Sequence, residues 1–364
     1  MVVPELPVEI VSQILNQLRD DQSTLRKCSR VSRSFRALCL PFLFHHLCIP
    51  NADAYRHAFR LLVLESPHVG RYVKQIALDS RGLQTMVLGT ENIRWLDADK
   101  FLMFLNALPA LEVLRCDMDF YTGMLASVLP NSSITTLHLS DIRRNSSLDF
   151  VNLLMEILKA GSQTIQSLTL QSIYVPDEIY YYASMARMLT APGVLRALED
   201  MTLIQCTNLP FFHYNVQMPN IKTLELIDTE WTFQDCIAHI HSEHDRYEYA
   251  SGIKRLEVVL LATQGERLHV DFSKHFELGF QENLIYLHKN GLLEKFMITV
   301  ESYQGVRKPH LEVFFFKLKA LGILDVQGGS LPRSCSRPGR YVCPPESTYY
   351  GSGAPSKWTW DPGF

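Results

Sequence analysis

Ile134-Thr135-Thr136-Leu137-His138-Leu139 and Ile165-Gln166-Ser167-Leu168-Thr169-Leu170 are two copies of one pattern, L-x-x-L-x-L with an aliphatic residue at each L. The last four residues of each alternate polar and apolar, the period of a strand with one buried face. Working outward, the pattern recurs upstream as Val73-x-x-Ile76-x-Leu78 and Leu111-x-x-Leu114-x-Cys116. Downstream it recurs from Leu198, Ile221, Ile253, Leu293 and Leu321, which makes nine copies. Their central residues are 23 to 40 positions apart. Helical stripes fill some of the gaps. Phe101, Leu102, Phe104, Leu105 and Leu108 form one, and Val151, Leu154, Met155 and Leu158 form another, with Gly161 expected as its C-cap. Strand alternating with helix predicts an α/β fold in which parallel strands line one face and helices back them.

The first 48 residues read differently. Leu6-Pro7-Val8-Glu9-Ile10 opens a segment with Pro7 as its expected first helical residue and a stripe through Ile10, Ile14, Leu15 and Leu18. A second helix is expected from about Ser23, as N-cap, to Arg30, with Leu25 and Cys28 facing inward. A third is expected from about Ser32, with Val31, Phe35, Leu38 and Cys39 as its stripe and an end at or before Leu40 imposed by Pro41. Phe42, Leu43, Phe44 and Leu47 would follow as an apolar lid, with His45-His46 closing the module. Three helices this short cannot bury all their apolar groups among themselves, so a leftover stripe reads as a docking face.

The four blocks Leu6-Pro7-x-Glu9-Ile10, Ile14-Leu15-x-x-Leu18, Cys28 through Arg36, and Leu43-Phe44-x-x-Leu47 together resemble an F-box. The resemblance implies docking on a Skp-type adaptor through Leu6, Pro7, Ile10, Ile14 and Leu15, joined by Val31 and Phe35. The nine strand motifs resemble leucine-rich repeats more loosely, because the Asn that follows the strand in that family is absent from most copies. The resemblance therefore implies an N-terminal three-helix F-box over residues 1–48, an irregular leucine-rich-repeat-like α/β solenoid over 49–329, and an irregular tail over 330–364. An N-terminal helical cap and a non-repeat α/β domain stand as the plainer alternatives.

The residues between the strand leucines fall on the open face. Arg115, Asp117, His138, Gln171, Glu225, Arg255, Glu257 and Lys295 are the candidate substrate readers, with Thr136, Thr169, Asp200, Thr202, Thr223, Thr299, Asp325 and Gln327 beside them. They mix charges and hydroxyls and name no ligand class.

The remaining features bound the reading. With 35 basic and 38 acidic residues, the net charge of -3 gives no reason to expect nucleic acid as a partner. No apolar run approaches a membrane span, and the start lacks the pattern of a secretory signal. The eight cysteines show no Cys-x-x-Cys spacing and mostly sit in apolar runs, the usage of a reduced compartment, so a cytoplasmic or nuclear protein is expected. Neither phosphate loop, nucleophile elbow nor His-Glu-x-x-His motif occurs. The cluster His239-Ile240-His241-Ser242-Glu243-His244 reads as a polar helix end or loop, and no metal or cofactor is expected. Trp358 and Trp360 in the tail are candidates for docking back on the chain or for a partner motif.

The expected function is a non-enzymatic substrate-recognition subunit of an SCF-type cullin–RING ubiquitin ligase. Its partners would be a Skp-type adaptor, the cullin scaffold and an unknown protein substrate. The alternative is a leucine-rich scaffold or regulator with no ubiquitin role.

Overall fold

The computed structural model describes residues 7–19, 21–49, 52–78, 98–117, 125–140, 154, 156–173, 195–204, 206, 220–227, 254–261, 280–301 and 315–329. It begins with three short helices: α1 (Val8–Gln17), α2 (Gln22–Ser29) and α3 (Arg33–Leu43). Pro7 is the N-cap of α1 rather than its first helical residue, with its carbonyl accepting from the amides of Ile10 and Val11. Leu15, Leu25 and Cys39 form the buried centre of the module, with Val11, Leu18, Cys28, Leu38, Phe42 and Leu43 packed around them.

Two local expectations need correction. The cap of α2 is Asp21 and not Ser23: its carboxylate accepts from the Thr24 amide at 3.0 Å and from the Thr24 hydroxyl at 2.6 Å. An ionised acceptor at the positive end of a helix outcompetes a hydroxyl two residues on. Ser32 caps α3 as expected, accepting from the Phe35 amide at 3.1 Å. Pro41, however, lies inside α3. A proline removes one donor and one bond, and here only the last turn lies beyond it. Packing of Phe42 and Leu43 on the module core holds that turn, which closes with Phe44 N–H on the Leu40 carbonyl.

The expected lid divides at this point. Phe44 and Leu47 pack against a second, larger core, and His46 opens β1 (His46–Ile49), a strand that no L-x-x-L-x-L motif marks. Helix α4 (Ala52–Phe59) follows and runs on through a π-helical stretch at Arg60–Glu65 and a 3₁₀ stretch at Pro67–Tyr72. Tyr55, Ala58, Leu62 and Val69 bury this segment. Gly70 is required by close approach, since a β-carbon there would sit 1.9 Å from the Ala107 carbonyl oxygen.

All nine L-x-x-L-x-L motifs then appear as strands: β2 (Gln75–Leu78), β3 (Val113–Asp117), β4 (Thr136–Ser140), β5 (Ser167–Gln171), β6 (Asp200–Ile204), β7 (Thr223–Ile227), β8 (Arg255–Leu261), β9 (Lys295–Glu301) and β10 (Leu324–Gly329). Together with β1 they make a ten-stranded sheet in strict chain order. Every neighbouring pair is parallel. The register stacks like on like. One ladder runs Ile76, Leu114, Leu137, Leu168, Met201, Leu224, Leu256, Phe296 and Leu324. Its twin, two residues on, runs from Leu78 through Leu139 and Leu226 to Val326. A one-residue slip would turn both ladders over to the other face, so the alternation itself fixes the register.

Behind the ladders, α5 (Ala98–Asn106) buries Phe101, Phe104 and Leu105, while Leu102 of the expected stripe is exposed. Leu154 and Leu158 are buried, while Val151 and Met155 of that stripe lie outside the described residues. Helices α6 (Phe280–Lys289) and α7 (Phe316–Ala320) add Leu284, Leu287 and Leu318. Gly161 is no left-handed cap, because its φ is not positive; it lies where a β-carbon would meet Ile165 at 2.6 Å. Among the described residues, the left-handed glycines are instead Gly291 and Gly322, just past α6 and α7. The fold is thus mixed helix and strand, an N-terminal helical module leading into a parallel sheet.

Candidate functional site

The N-terminal module carries more apolar surface than its core absorbs. Val11, Leu15 and Leu18 recur at helical spacing and turn inward. Val8, Ile10 and Ile14 of the same helix are 59%, 41% and 48% exposed, and Val31 in the turn before α3 is 69% exposed. Four large aliphatic residues stay in water on this small unit, the kind of exposure that interaction surfaces show. Of the residues expected there, Ile10, Ile14, Val31 and Pro7 are exposed, and Phe35 is partly so. Leu15 is corrected: at 1% exposure it belongs to the module core. Val31 precedes α3 and is not part of that helix's stripe. Leu6 lies outside the described residues. Val8 was missed, because a lone valine beside Pro7 gives no periodic signal.

The second candidate surface is the row of side chains between the two leucine ladders. In register it reads Ala77, Arg115, His138, Thr169, Thr202, Glu225, Glu257, Met297 and Asp325. Arg115 and His138 are neighbours across β3 and β4. His138 Nε2 donates to Gln171 Oε1 at 3.1 Å, which joins β4 to β5. Burial pushes the His138 ring down to a pKa of about 4, and the Arg115 charge adds to this, while the bond to Gln171 opposes it. His46 is lowered by the same two causes, burial first and Arg115 second.

Further along, the open face closes. Glu225 and Glu257 are 8% and 3% exposed, not open readers as the strand alternation implies. Glu225 accepts from the Thr202 hydroxyl at 3.3 Å. Glu257 accepts from the Thr299 hydroxyl at 3.3 Å and from Arg255 at 3.1 Å. A buried carboxylate is tolerated only when hydrogen-bonded or paired in this way. Lys295 pairs with Asp325 at 2.7 Å across β9 and β10. Asp117 ends β3 opposite Ser140. Arg115, His138 and Gln171 are therefore brought together at one end, and Glu225, Glu257 and Arg255 at the other. Met297, buried between them and Asp325, escaped notice because it carries no charge.

The cluster His239 to His244 and the tail from residue 330 lie outside the described residues. Among the described residues, no helix is long and apolar enough to cross a membrane. No curated protein matches the chain. Residues 3–81 match the family model described as the COS11 F-box domain, a span that takes in the three helices, the exposed Val8, Ile10, Ile14 and Val31, and the first two strands. On that match the chain carries an F-box domain and is an F-box protein.

Proposed function

We propose that the chain is a substrate receptor of an SCF-type ubiquitin ligase. The observation that carries this is the exposure of Ile10, Ile14 and Val31 on a helical module matched by an F-box family model. F-box domains generally bind Skp-type adaptors. A few desolvated aliphatic anchors are enough to carry most of such an interface. The receptor contributes no catalytic group in this reading. It raises the local concentration of a bound protein beside a ligase held by the adaptor and cullin.

We also infer that the sequential parallel sheet is a leucine-rich-repeat-like solenoid whose polar row reads the substrate. Like-on-like stacking of the ladders and strict chain order support this, since each strand then contacts only its neighbours. Direct continuity from α3 through Phe44 into β1 supports a fixed spacing between adaptor and substrate.

The test is assembly. Co-expressed with a Skp-type adaptor and the adaptor-binding part of a cullin, the chain should elute from a sizing column as one complex with both. Elution of a folded chain apart from the adaptor would contradict the proposal.

A further inference from the structure

The sheet stops being sealed at its last strand. At the first strand, Ile49 of β1 is 1% exposed, where α4 packs on it. At the other end Leu324 and Val326 of β10 are only partly buried, although their partners across the register, Phe296 and Ile298, are fully buried. On the helical side, Phe315 and Leu318 turn into the core and Lys317 of α7 reaches Glu282 of α6 at 2.6 Å. Phe316 and Leu321 take neither direction and are 61% and 43% exposed. Among the described residues, β10 is paired on one side alone, with β9. An open edge with an apolar rim is a template for another strand.

The chain beyond β10 carries the pattern of such a strand. Lys357-Trp358-Thr359-Trp360-Asp361 alternates polar and apolar, the period of a strand with one buried face. Pro355 and Pro362 bound this segment and no proline lies inside it, so each of its amides can donate to a ladder. Trp358 and Trp360 have the spacing of Leu324 and Val326. The step from Leu324 to Trp358 is 34 positions, within the 23 to 40 that separate the other central residues. That length also suffices for the crossover a parallel neighbour needs.

We propose that residues 357–361 add to β10 as an eleventh, parallel strand of the sheet, with Trp358 beside Leu324, Thr359 beside Asp325 and Trp360 beside Val326. The two indoles extend the two apolar ladders over the rim that Leu324 and Val326 leave open. Thr359 continues the polar row, in which Thr169 and Thr202 already stand. The connection that precedes it carries Leu331, Tyr341, Val342 and Tyr349, and it crosses on the helical side over Phe316 and Leu321. Tethering favours this occupant over a second copy of the chain, because an attached segment meets the edge at a roughly millimolar effective concentration. The chain thus closes its own edge and keeps it from pairing with other molecules.

Hydrogen exchange of the full chain, followed by mass spectrometry of its peptides, tests the eleventh strand. In wild type the amides of residues 357–361 should exchange at least about tenfold more slowly than in a free synthetic peptide of the same sequence. In W358A/W360A, and in T359P, which removes a ladder donor, that protection should vanish. In both variants β10 should exchange at least about tenfold faster, while β5, far along the sheet, keeps its wild-type rate and reports an intact fold. Wild-type exchange of residues 357–361 at the rate of the free peptide would overturn the proposal, and so would β10 rates that neither variant changes. A sizing column with light scattering, run over a range of protein concentration, identifies the rival occupant. Protection of β10 that rises as a dimer appears, and that survives in both variants, would overturn the proposal in favour of a second copy of the chain.

Discussion

Ile14 and Leu15 are adjacent in α1 and opposite in fate: Leu15 is 1% exposed against Leu25 and Cys39, and Ile14 is 48% exposed on the far side. One residue step along the helix separates the core that holds the module from a face left in solvent. The two positions should therefore respond oppositely. Leu15→Ala should cost about 2–5 kcal/mol of stability, as for other buried leucines. Ile14→Ala should leave stability within about 0.5 kcal/mol, as at surface positions. Urea denaturation of the full chain, read by the loss of helical circular dichroism, checks both.

His138 gives the sheet a pH dependence. Its ordinary pKa of 6.5 falls to about 4 in the fold, first through burial and then through Arg115. The folded state therefore favours the neutral ring. As pH falls below 6.5 the unfolded chain takes up the proton first, so stability is lost between about 6.5 and 4 and is complete above that window. Wild type should lose on the order of 2 kcal/mol across it from this group. His138→Gln, which has no proton to take up, should lack that component. Equilibrium denaturation at pH 7 and pH 4.5 on both chains measures the difference. Equal losses in the two would contradict the assignment.

Gly70 has no room for a side chain, because its β-carbon would lie 1.9 Å from the backbone oxygen of Ala107. Backbone cannot swing aside as a flexible side chain does. Gly70→Ala should therefore force the 3₁₀ stretch away from the end of α5 and destabilise the chain by about 2 kcal/mol or more. A neutral or stabilising Ala, measured by thermal unfolding, would show that the contact is relaxed in solution.

Much of the fold was legible because one physical signal, period-two alternation, carries it. Each leucine pair faces a core built from its neighbours, so all nine motifs became strands in order. What escaped is what alternation does not encode. β1 is only four residues long and follows directly on the helical module, so His46-Leu47-Cys48-Ile49 offered too little pattern. Alternation says which face Glu225 and Glu257 take, but not what else covers that face, so their burial was unreadable. The same limit applies in α1, where the apolar stripe includes both Ile14 and Leu15 and does not say which of them a partner would find. Capping was a contest between near neighbours, and the carboxylate of Asp21 prevailed over Ser23. Pro41 misled because the rule against proline concerns helix interiors, and only the last turn lies beyond it.

The central claim is that Ile10 and Ile14 anchor the chain on a Skp-type adaptor, and calorimetric titration of purified adaptor into purified full-length chain tests it most directly. Wild type should bind with sub-micromolar affinity, about -8 kcal/mol or better. The Ile10→Ala/Ile14→Ala chain, with unchanged unfolding, should lose about 2 kcal/mol or more of that binding. Equal binding by the two chains, or no binding by a folded wild type, would contradict the account.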